Sequence, residues 1–558
     1  MINYIFAHIK RRPQLLVAVI ALVISAIYGQ FLWNPIVFDD NNFFGGRIHS
    51  EYLDWKVFFS LGSRWLPYAT FEWTRVLLGH EMIWYRLGNM VLHIATSAAL
   101  FLFLRRLFEI VLPMDKAGVI APVSENSLSP FWLAFFGALI FALHPAAVYA
   151  VGYLIQRTTL MATFFAVVMW WLFVEGLARR SHWWLIGSAV AYFFAVLSKE
   201  HAIMAPAVAL AIFFLVHKPA RESFKQVWPT FLLYGLIGAN TLFQMKSGNI
   251  LGQAYEPRGA DMLATLARRD AGFNPAFAYP LSVLTQSFLF FKYLLVWIVP
   301  SPAWMSVDMF EQFAARLWSW PHVAGLIGFV IYPAVAIRLL LQRGKRGLLG
   351  FAMLCPWLMF ATELSAVRIQ ESFVLYRSYL WLPGACAAMP FLFQKASAKR
   401  VAVILTALAL VMIPATWDRL RTFSSALLLW DDAARLITDK DNRPGVERIY
   451  HNRGLQFSKL GYFEPALADF NKAIALNPNY MLAYNDRGAT YLSTRQFPQA
   501  LHDFDKAIEL NPKFARSYLG RALAYEGLNN SHAALLNYQQ LCALGFTDGC
   551  VKLKPVLN

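Results

Sequence analysis

Long apolar segments recur through residues 1–416, and they constrain the fold more than any other feature of the chain. A run of roughly 20 apolar residues can cross the hydrocarbon core of a bilayer as one helix. Its backbone groups must then bond within the segment, which favours a helical bundle. Of the 558 residues, 58% are hydrophobic and only 15% are charged. The composition therefore excludes a disordered chain and a series of soluble domains over the whole length.

Basic residues follow many of these segments and predict a topology. Lys10, Arg11 and Arg12 precede an uncleaved first span, Leu15 to about Leu32, and later runs stop at Arg105-Arg106 or Arg179-Arg180. Because cytoplasmic loops are enriched in Lys and Arg, the N-terminus is predicted to be cytoplasmic, and the net charge of +17 has the same origin. We predict about 11 spans. A further run, Val283–Val299, is either re-entrant or crosses in place of another.

A repeat of 34 residues occupies the C-terminal part of the chain. Arg453-Gly454, Arg487-Gly488 and Arg521-Ala522 recur at this spacing. Small, aromatic and proline positions recur with them: Ala466, Ala500 and Ala534; Phe470, Phe504 and Tyr538; Pro478 and Pro512. This period and these residue types are the tetratricopeptide signature. We predict three repeats, 447–480, 481–514 and 515–548, joined to the membrane domain 1–416 by a linker helix within 417–446.

The four cysteines have no metal-ligand spacing. Cys355 and Cys386 lie in apolar stretches, whereas Cys542 and Cys550 lie near the C-terminus. A disulfide framework is not expected. A Cys542–Cys550 bridge is expected only if the tail lies outside the cytoplasm.

Two adjacent carboxylates follow the first span directly. Asp39 and Asp40 lie in Val-Phe-Asp-Asp-Asn-Asn. A carboxylate at a membrane surface could have a raised pKa and act as a general base, and the alternative is a solvated turn or a helix cap. Because adjacent side chains of a non-helical stretch point apart, one carboxylate could face a site while the other binds backbone or metal.

Cations near the same predicted face could bind an anionic phosphate. A charge at bilayer depth costs about 2.5–3.5 kcal/mol, so such residues are candidates for function. Arg157 and Lys199 suit a phosphate, although Lys199 and Glu200 could simply pair with each other. Arg64 could instead contact only lipid headgroups. Further candidates are Arg368, Glu371, Tyr376 and Arg377, for which the alternative is a loop anchor.

A polar stripe and two histidines complete the set of candidates. Arg86, Asn89 and His93 share one helical face, which should point into the bundle as a ligand site or a packing stripe. His144 ends the third predicted span, and His201 follows Lys199-Glu200. No phosphate-cradling glycine loop or nucleophile elbow is present in the sequence.

The order of these motifs resembles a known family. The matching stretches are Asp39-Asp40 with its flanks, Arg64–Pro67, Leu87–His93, Phe141–Pro145, Gln156-Arg157, Leu197–His201, Tyr293, Pro300, Tyr376–Tyr379 and Leu429–Asp432. In this order, with the repeats behind them, they resemble the transmembrane-and-tetratricopeptide family of lipid-sugar-dependent O-glycosyltransferases, of the GT-C superfamily. The resemblance covers nearly the whole chain. The short repeat array looks more like a bacterial member.

The resemblance implies an integral, inverting glycosyltransferase. Its donor would be a polyprenyl- or dolichyl-phosphate monosaccharide. Its acceptor would be a hydroxyl, for example on an exported protein that the repeats hold outside the membrane. Asp39 or Asp40 would be the base, and a divalent metal is left open. The phosphate ligands would be Arg157, Lys199, Arg377 and Arg64, and the remaining site-lining residues His93, His144, Glu200, His201 and Tyr376. A bacterial inner membrane is the implied location, with periplasmic repeats and no nucleic-acid partner.

Two other functions remain open at this point. A membrane anchor could carry a non-enzymatic repeat scaffold for envelope or pilus assembly, which would leave the charges at the outer span ends unexplained. A transporter or flippase for a lipid-linked sugar would line a path with charges and have pseudo-symmetric halves. No repeat between the halves of the membrane region is seen in the sequence.

Overall fold

The computed structural model describes residues 12–37, 40, 62, 64–113, 128–217, 221–254, 256, 258–309, 311–393, 396–437, 443–547 and 550–551. Within these ranges the chain is helical and forms no β-strand, only an isolated bridge between Met309 and Phe373. The predicted all-α fold with C-terminal repeats is confirmed. Two compact units divide the chain, Met1–Ser425 and Ala426–Asn558.

Fourteen α-helices of more than four residues lie in the described part of the first unit. They are α1 (Pro13–Tyr28), α2 (Trp65–Leu78), α3 (Met82–Val111), α4 (Pro130–Leu143), α5 (Arg157–Arg179), α6 (His182–Ser198), α7 (Ala205–Val216), α8 (Arg221–Ser247), α9 (Gly259–Arg269), α10 (Ala278–Ile298), α11 (His322–Leu340), α12 (Gly344–Phe360), α13 (Leu375–Trp381) and α14 (Ala398–Thr422). α5 packs against both α3 and α6. Gly176 permits the second contact, because a Cβ there would lie 2.7 Å from a methyl carbon of Leu185.

Several helices of this unit could cross a membrane. Among the described residues, 7 are long and apolar enough, or 8 if Pro130–Leu143 and Pro145–Val151 form one bent span. His182–Ser198, Glu200–Val216 and Pro383–Leu392 are apolar but shorter. The count of 11 spans therefore stays a prediction, although the predicted multi-helix membrane character is confirmed.

Two apolar runs of the sequence, Val283–Val299 and Tyr379–Phe393, differ in continuity. Val283–Val299, the ambiguous segment, lies almost entirely in the unbroken helix α10, and its residues are part of a segment long enough to span. Tyr379–Phe393 is broken instead: α13 ends at Trp381, and a 3₁₀ turn covers Pro383–Ala388. Proline cannot donate the backbone hydrogen bond that would continue the helix.

Breaks between the helices place polar residues inside the bundle. α6 ends at Ser198, Lys199 is extended, and a 3₁₀ turn spans Glu200–Met204. Pro206 follows in the first turn of α7. A second 3₁₀ turn, Ala361–Ser365, follows α12. The polar side chains at these breaks are buried by the surrounding helices, so their charges must be satisfied by partners within the protein.

The second unit begins with helix α15 and continues as three antiparallel helix pairs. The helices are α15 (Ala426–Arg435), α16 (Glu447–Lys459), α17 (Phe463–Leu476), α18 (Met481–Ser493), α19 (Phe497–Leu510), α20 (Ala515–Gly527) and α21 (Ser531–Ala543). The predicted single linker helix is replaced by α14 and α15. They are separated because the amides of Phe423 and Ser424, and the Ser424 hydroxyl, bond back to the end of α14.

One arginine per repeat joins the two helices of each pair. Arg453 donates to both oxygens of Asp469 at 2.8 Å, and Arg487 donates to those of Asp503 at 2.7 and 2.6 Å. Arg521 makes one such bond, to Asn537, at 2.7 Å. Because each repeat contacts mainly its neighbours, the 34-residue period reproduces this bond along the array.

The cysteines of the two units differ. Cys542 and Cys550 form a disulfide at the end of the repeats. Cys355 and Cys386 in the first unit are free. The bridge anticipated for an extracytoplasmic tail is therefore present in the structure.

Candidate functional site

A polar cavity of about 230 Å³ lies within the first unit. Its walls come from the start of α2, the turn before α5, the break after α6, Glu256 and the segment leading into α13. The lining residues are Arg64, Tyr68, Tyr153, Ile155, Gln156, Thr158, Lys199, His201, Glu256, Arg368, Gln370, Glu371, Tyr376 and Arg377. The cavity thus brings together five predicted site residues: Arg64, Lys199, His201, Tyr376 and Arg377.

Arg64 forms one edge of the cavity. It precedes α2 in the left-handed conformation, with φ of 65°. Its guanidinium binds both carboxylate oxygens of Glu200, at 3.1 and 2.6 Å. Burial would raise the pKa of Glu200, but Arg64 and the neighbouring His201 hold that pKa well below its ordinary value. Glu200 therefore stays ionised and fixes Arg64 at the cavity edge.

Lys199 lies deeper in the cavity and is 6% exposed. Its Nζ donates to Thr159 Oγ1 at 2.7 Å and to Gln156 Oε1 at 3.4 Å. The same ammonium lies 5.2 Å from the ring centre of Tyr376. Burial first, and then the positive charge of Arg64, lower the pKa of Lys199 to about 7.

Two arginines and two glutamates form a buried quartet. Glu363 lies 3.1 Å from Arg377 Nη1 and 3.3 Å from Arg368 Nε. Glu256 lies 3.6 Å from each of the same two arginines. Each arginine therefore contacts both carboxylates, which offsets much of the cost of burying four charges. Glu363 itself does not line the cavity, so it supports the two arginines from behind.

Three further side chains connect the quartet to the rest of the wall. His201 lies between two carboxylates, with Nε2 3.2 Å from Glu363 and Nδ1 3.4 Å from Glu200. The Tyr376 hydroxyl donates to Glu371 at 2.6 Å, and Arg377 reaches the same carboxylate at 2.8 Å. A continuous polar network therefore runs from Arg64 to Glu371.

The two predicted acidic candidates separate in the structure. Asp40 is fully buried. Its Oδ2 accepts the amide of Leu154 at 3.0 Å, and its Oδ1 accepts the amide of Ile155 at 2.9 Å. Ile155 lines the cavity, so Asp40 fixes one wall through the backbone. Asp39 lies outside the described residues.

Arg157, a predicted phosphate ligand, is not among the residues that line this cavity. Its guanidinium donates to Asn89 at 2.9 Å, to the Tyr85 carbonyl at 2.7 Å and to Thr70 at 3.2 Å. It also lies 4.0 Å from the ring centre of Phe71. Each of the three guanidinium nitrogens donates one of these bonds, so the group joins α2, α3 and α5.

His93 and His144 also lie away from the cavity. His93 bonds Tyr379 at 2.7 Å and the Ala142 carbonyl at 3.0 Å. His144 accepts the Ala146 amide at 3.2 Å and stacks on Trp297 at 4.1 Å. The described contacts of His93 are with side chains and backbone of the bundle, which agrees with the packing alternative for the polar stripe.

Sequence reasoning missed two acidic members of the quartet. Glu363 follows the apolar run of α12 directly, and the criterion that selected Lys199, a charge at the end of a span, could have found it. Glu256 lies in the stretch between α8 and α9, where no pattern distinguishes it. In the described part of the chain, no group of three or more His, Cys, Asp or Glu could hold a metal.

Comparisons with known proteins bear on both units. Residues 117–242 match the family described as dolichyl-phosphate-mannose-protein mannosyltransferase. Residues 447–480 and 482–514 match tetratricopeptide repeats. The chain therefore has a segment similar to that mannosyltransferase family and, after it, segments that match tetratricopeptide repeats. The family resemblance found in the sequence is thereby confirmed.

One curated protein is similar in sequence to a large part of the chain. The chain is 24% identical over 365 residues to "Protein O-mannosyl-transferase F38B6.6" of Caenorhabditis elegans, with 64% of this chain and 48% of the relative covered. The chain thus spans about half the length of that relative. Among solved structures, two of MamA are similar at 27% and 23% identity. They cover 22% and 26% of this chain, and 68% and 81% of their own, each with a TM-score of 0.20.

Proposed function

We propose that this protein is an integral membrane glycosyltransferase. It transfers a monosaccharide from a polyprenyl- or dolichyl-phosphate donor to an acceptor hydroxyl, with inversion at the anomeric carbon. The observation that carries the proposal is the cavity in which Arg64, Lys199 and Arg377 converge. The matched mannosyltransferase family and the O-mannosyl-transferase relative support the same chemistry.

The cavity suits a phosphate that gains negative charge. Lys199, Arg64 and Arg377 all line the cavity. The charged groups of Lys199 and Arg377 lie 5.2 and 5.8 Å from the centre of the Tyr376 ring. Preorganised cations stabilise a departing anion without reorganisation during the reaction. Arg157 is left out of this set because it does not line the cavity and each of its nitrogens bonds another group of the bundle.

Asp39 is the base that we propose. Asp40 has both oxygens bonded to backbone amides, so it suits a positioning role beside the cavity. Asp39 would take the acceptor proton as the hydroxyl oxygen attacks the anomeric carbon. The bond from that carbon to the phosphate oxygen then breaks, and the lipid phosphate leaves as an anion.

The repeat unit is proposed to lie outside the cytoplasm and to bind the acceptor protein. The Cys542–Cys550 disulfide supports this location, because disulfides persist in oxidising compartments. Tetratricopeptide arrays present extended concave surfaces for partner chains. A bacterial inner membrane with a cytoplasmic N-terminus stays a prediction from the charge pattern and the short repeat array.

A non-enzymatic scaffold has no need for the cavity. Burying ionised groups is costly even when they are paired, and apolar side chains of the same size often serve stability equally well. The quartet and Lys199 are at most 7% exposed. This concentration of buried charge supports a catalytic rather than an anchoring role.

The test is an assay of lipid-phosphate release by the purified full chain. Undecaprenyl-phosphate mannose and dolichyl-phosphate mannose are offered with a Ser/Thr-rich acceptor peptide. We expect acceptor-dependent release by the wild type and its loss in Asp39→Asn. Lys225→Arg, an exposed substitution on α8 away from the cavity, is the control. Absence of release from every donor by folded wild type would contradict the proposal.

A further inference from the structure

Lys199 differs from the arginines of the cavity in that its hydrogen-bond partners are uncharged. Arg64, Arg368 and Arg377 each have a carboxylate nearby, at 2.6, 3.3 and 2.8 Å respectively. Lys199 donates instead to neutral oxygens, those of Thr159 and Gln156. Within the described residues, no carboxylate lies at ion-pair distance from its Nζ.

This environment allows Lys199 to give up its proton. An ammonium beside carboxylates keeps its proton, whereas a buried ammonium among neutral groups is destabilised. Guanidinium groups stay protonated in proteins, so the arginines cannot serve as acids. The extended backbone of Lys199, between α6 and the following 3₁₀ turn, directs the side chain into the cavity without a counter-ion of its own.

We propose that Lys199 is the general acid of the transfer and donates the proton on Nζ to the departing lipid phosphate. The inference rests on the glycosyl transfer proposed above. The acceptor oxygen bonds to the anomeric carbon and passes its proton to Asp39, while the carbon–oxygen bond to the phosphate breaks. The electron pair of that bond stays on the phosphate oxygen, which takes the Lys199 proton. The product leaves as a monoanion, and neutral Lys199 regains a proton when Asp39 loses one.

Lys199 and the departing phosphate, which accepts its proton, have similar pKa values. The second ionisation of a phosphate monoester has a pKa of about 6, close to the pKa of about 7 that Lys199 has in the protein. General acids work best when their pKa is near the operating pH. The charged and titratable groups facing Lys199 are Arg64 and Arg377, which favour proton loss, Glu200 and Glu363, which oppose it, and Tyr376.

The decisive variant is Lys199→Arg, which keeps the charge but cannot release a proton. With undecaprenyl-phosphate mannose, we expect donor binding within about threefold of wild type. The single-turnover rate of lipid-phosphate release should fall roughly 100-fold or more. The wild-type rate should decline at alkaline pH, and this decline should be absent in the variant. Lys225→Arg, remote from the cavity, controls for the substitution itself.

A phosphorothioate donor adds a measurement that does not depend on the arginine substitution. Its leaving group is more acidic and needs a proton less, so the rate deficit of Lys199→Arg should shrink with this donor. If Lys199→Arg does not fold, Lys199→Gln at saturating donor takes its place with the same expectation.

The contrary outcomes are distinct. A wild-type rate in Lys199→Arg would overturn the inference: if the alkaline decline also disappeared, Lys199 would act only as a fixed charge, and if the decline persisted, it would not come from Lys199. An equal deficit with both donors would also overturn it. Wild-type protein that is folded but inactive with every donor would remove the proposed function, and the inference with it.

Discussion

Glu363 accepts a hydrogen bond from Arg377 at 3.1 Å, yet only the arginine reaches the cavity. The carboxylate is 1% exposed and also contacts Arg368 and His201. Three cavity-lining side chains, from two separate parts of the chain, therefore depend on one acidic residue behind them.

Replacing Glu363 by Gln should destabilise the first unit. The change leaves two buried guanidinium groups short of a counter-charge, and breaking a buried pair costs about 3–5 kcal/mol. Thermal unfolding of the full chain in detergent should show a lower Tm. The double variant Glu363→Gln/Arg368→Gln restores the charge balance and should recover part of the loss. A Tm unchanged by the single variant would show that the quartet does not need this charge.

Donor binding should weaken as pH rises above about 7. In the protein without donor, Lys199 has a pKa of about 7. A bound phosphate anion raises that pKa, because a nearby opposite charge favours the protonated form. The complex therefore binds more protons than the free protein between these two pKa values. Affinity then falls by up to about tenfold per pH unit in that window. Binding titrations with undecaprenyl-phosphate mannose between pH 6 and 9 measure this fall in affinity. The affinity of Lys199→Arg should not change with pH over that range.

Asp39→Asn and Asp40→Asn should differ in what they impair. Asp39→Asn is expected to lower turnover by at least about 100-fold. Asp40→Asn places an NH₂ group opposite one of the two backbone amides, which costs about 1–3 kcal/mol and should lower Tm. Turnover at saturating donor and Tm are measured for both. Loss of turnover in Asp40→Asn with an unchanged Tm would make Asp40, and not Asp39, the base.

Gly88→Ala should reproduce the effect of losing Arg157. A Cβ at Gly88 would lie 2.7 Å from Arg157 Nη2, so the guanidinium must leave its bonds between the helices. We expect both Gly88→Ala and Arg157→Gln to lower stability by about 1–3 kcal/mol. Donor affinity of the folded fraction should stay within about twofold of wild type. A large selective loss of donor affinity in Arg157→Gln would return Arg157 to the phosphate site.

Asn537→Asp should strengthen the third repeat. Asn537 stands where the first two repeats have an aspartate bonded twice to its arginine. The substitution gives up the bond from the Asn537 amide to the Ala533 carbonyl. It gives Arg521 a charged, two-bond partner in exchange, which should add a net of about 0.5–1 kcal/mol. In limited proteolysis of the full chain, cleavage at sites after residue 515 should be slower than in the wild type. Asp503→Asn in the second repeat is the reverse change and should speed cleavage there.

The features that the sequence predicted well are those that local pattern controls. The 34-residue period fixes the repeats because each helix pair packs on its neighbour, so a residue and its equivalent see the same surroundings. Apolar runs predict membrane helices because length and hydropathy are properties of one segment. Pro383 interrupts the apolar run Tyr379–Phe393 for an equally local reason, because proline cannot donate the backbone hydrogen bond that would continue a helix.

The cavity depends on tertiary structure because its contacts are distant in sequence. Arg64 pairs with Glu200 across 136 positions, and His201 contacts Arg368 across 167. Nothing local tells Arg157 from Lys199, since both are cations at the end of an apolar run. In the bundle, each guanidinium nitrogen of Arg157 bonds a carbonyl, amide or hydroxyl oxygen. Lys199 is left with neutral neighbours in a cavity. The sequence alone therefore determined a helical membrane protein with a tetratricopeptide array and the residue types of its site. Only packing decided which charges neutralise one another, because ionic partners are chosen by proximity in the folded bundle.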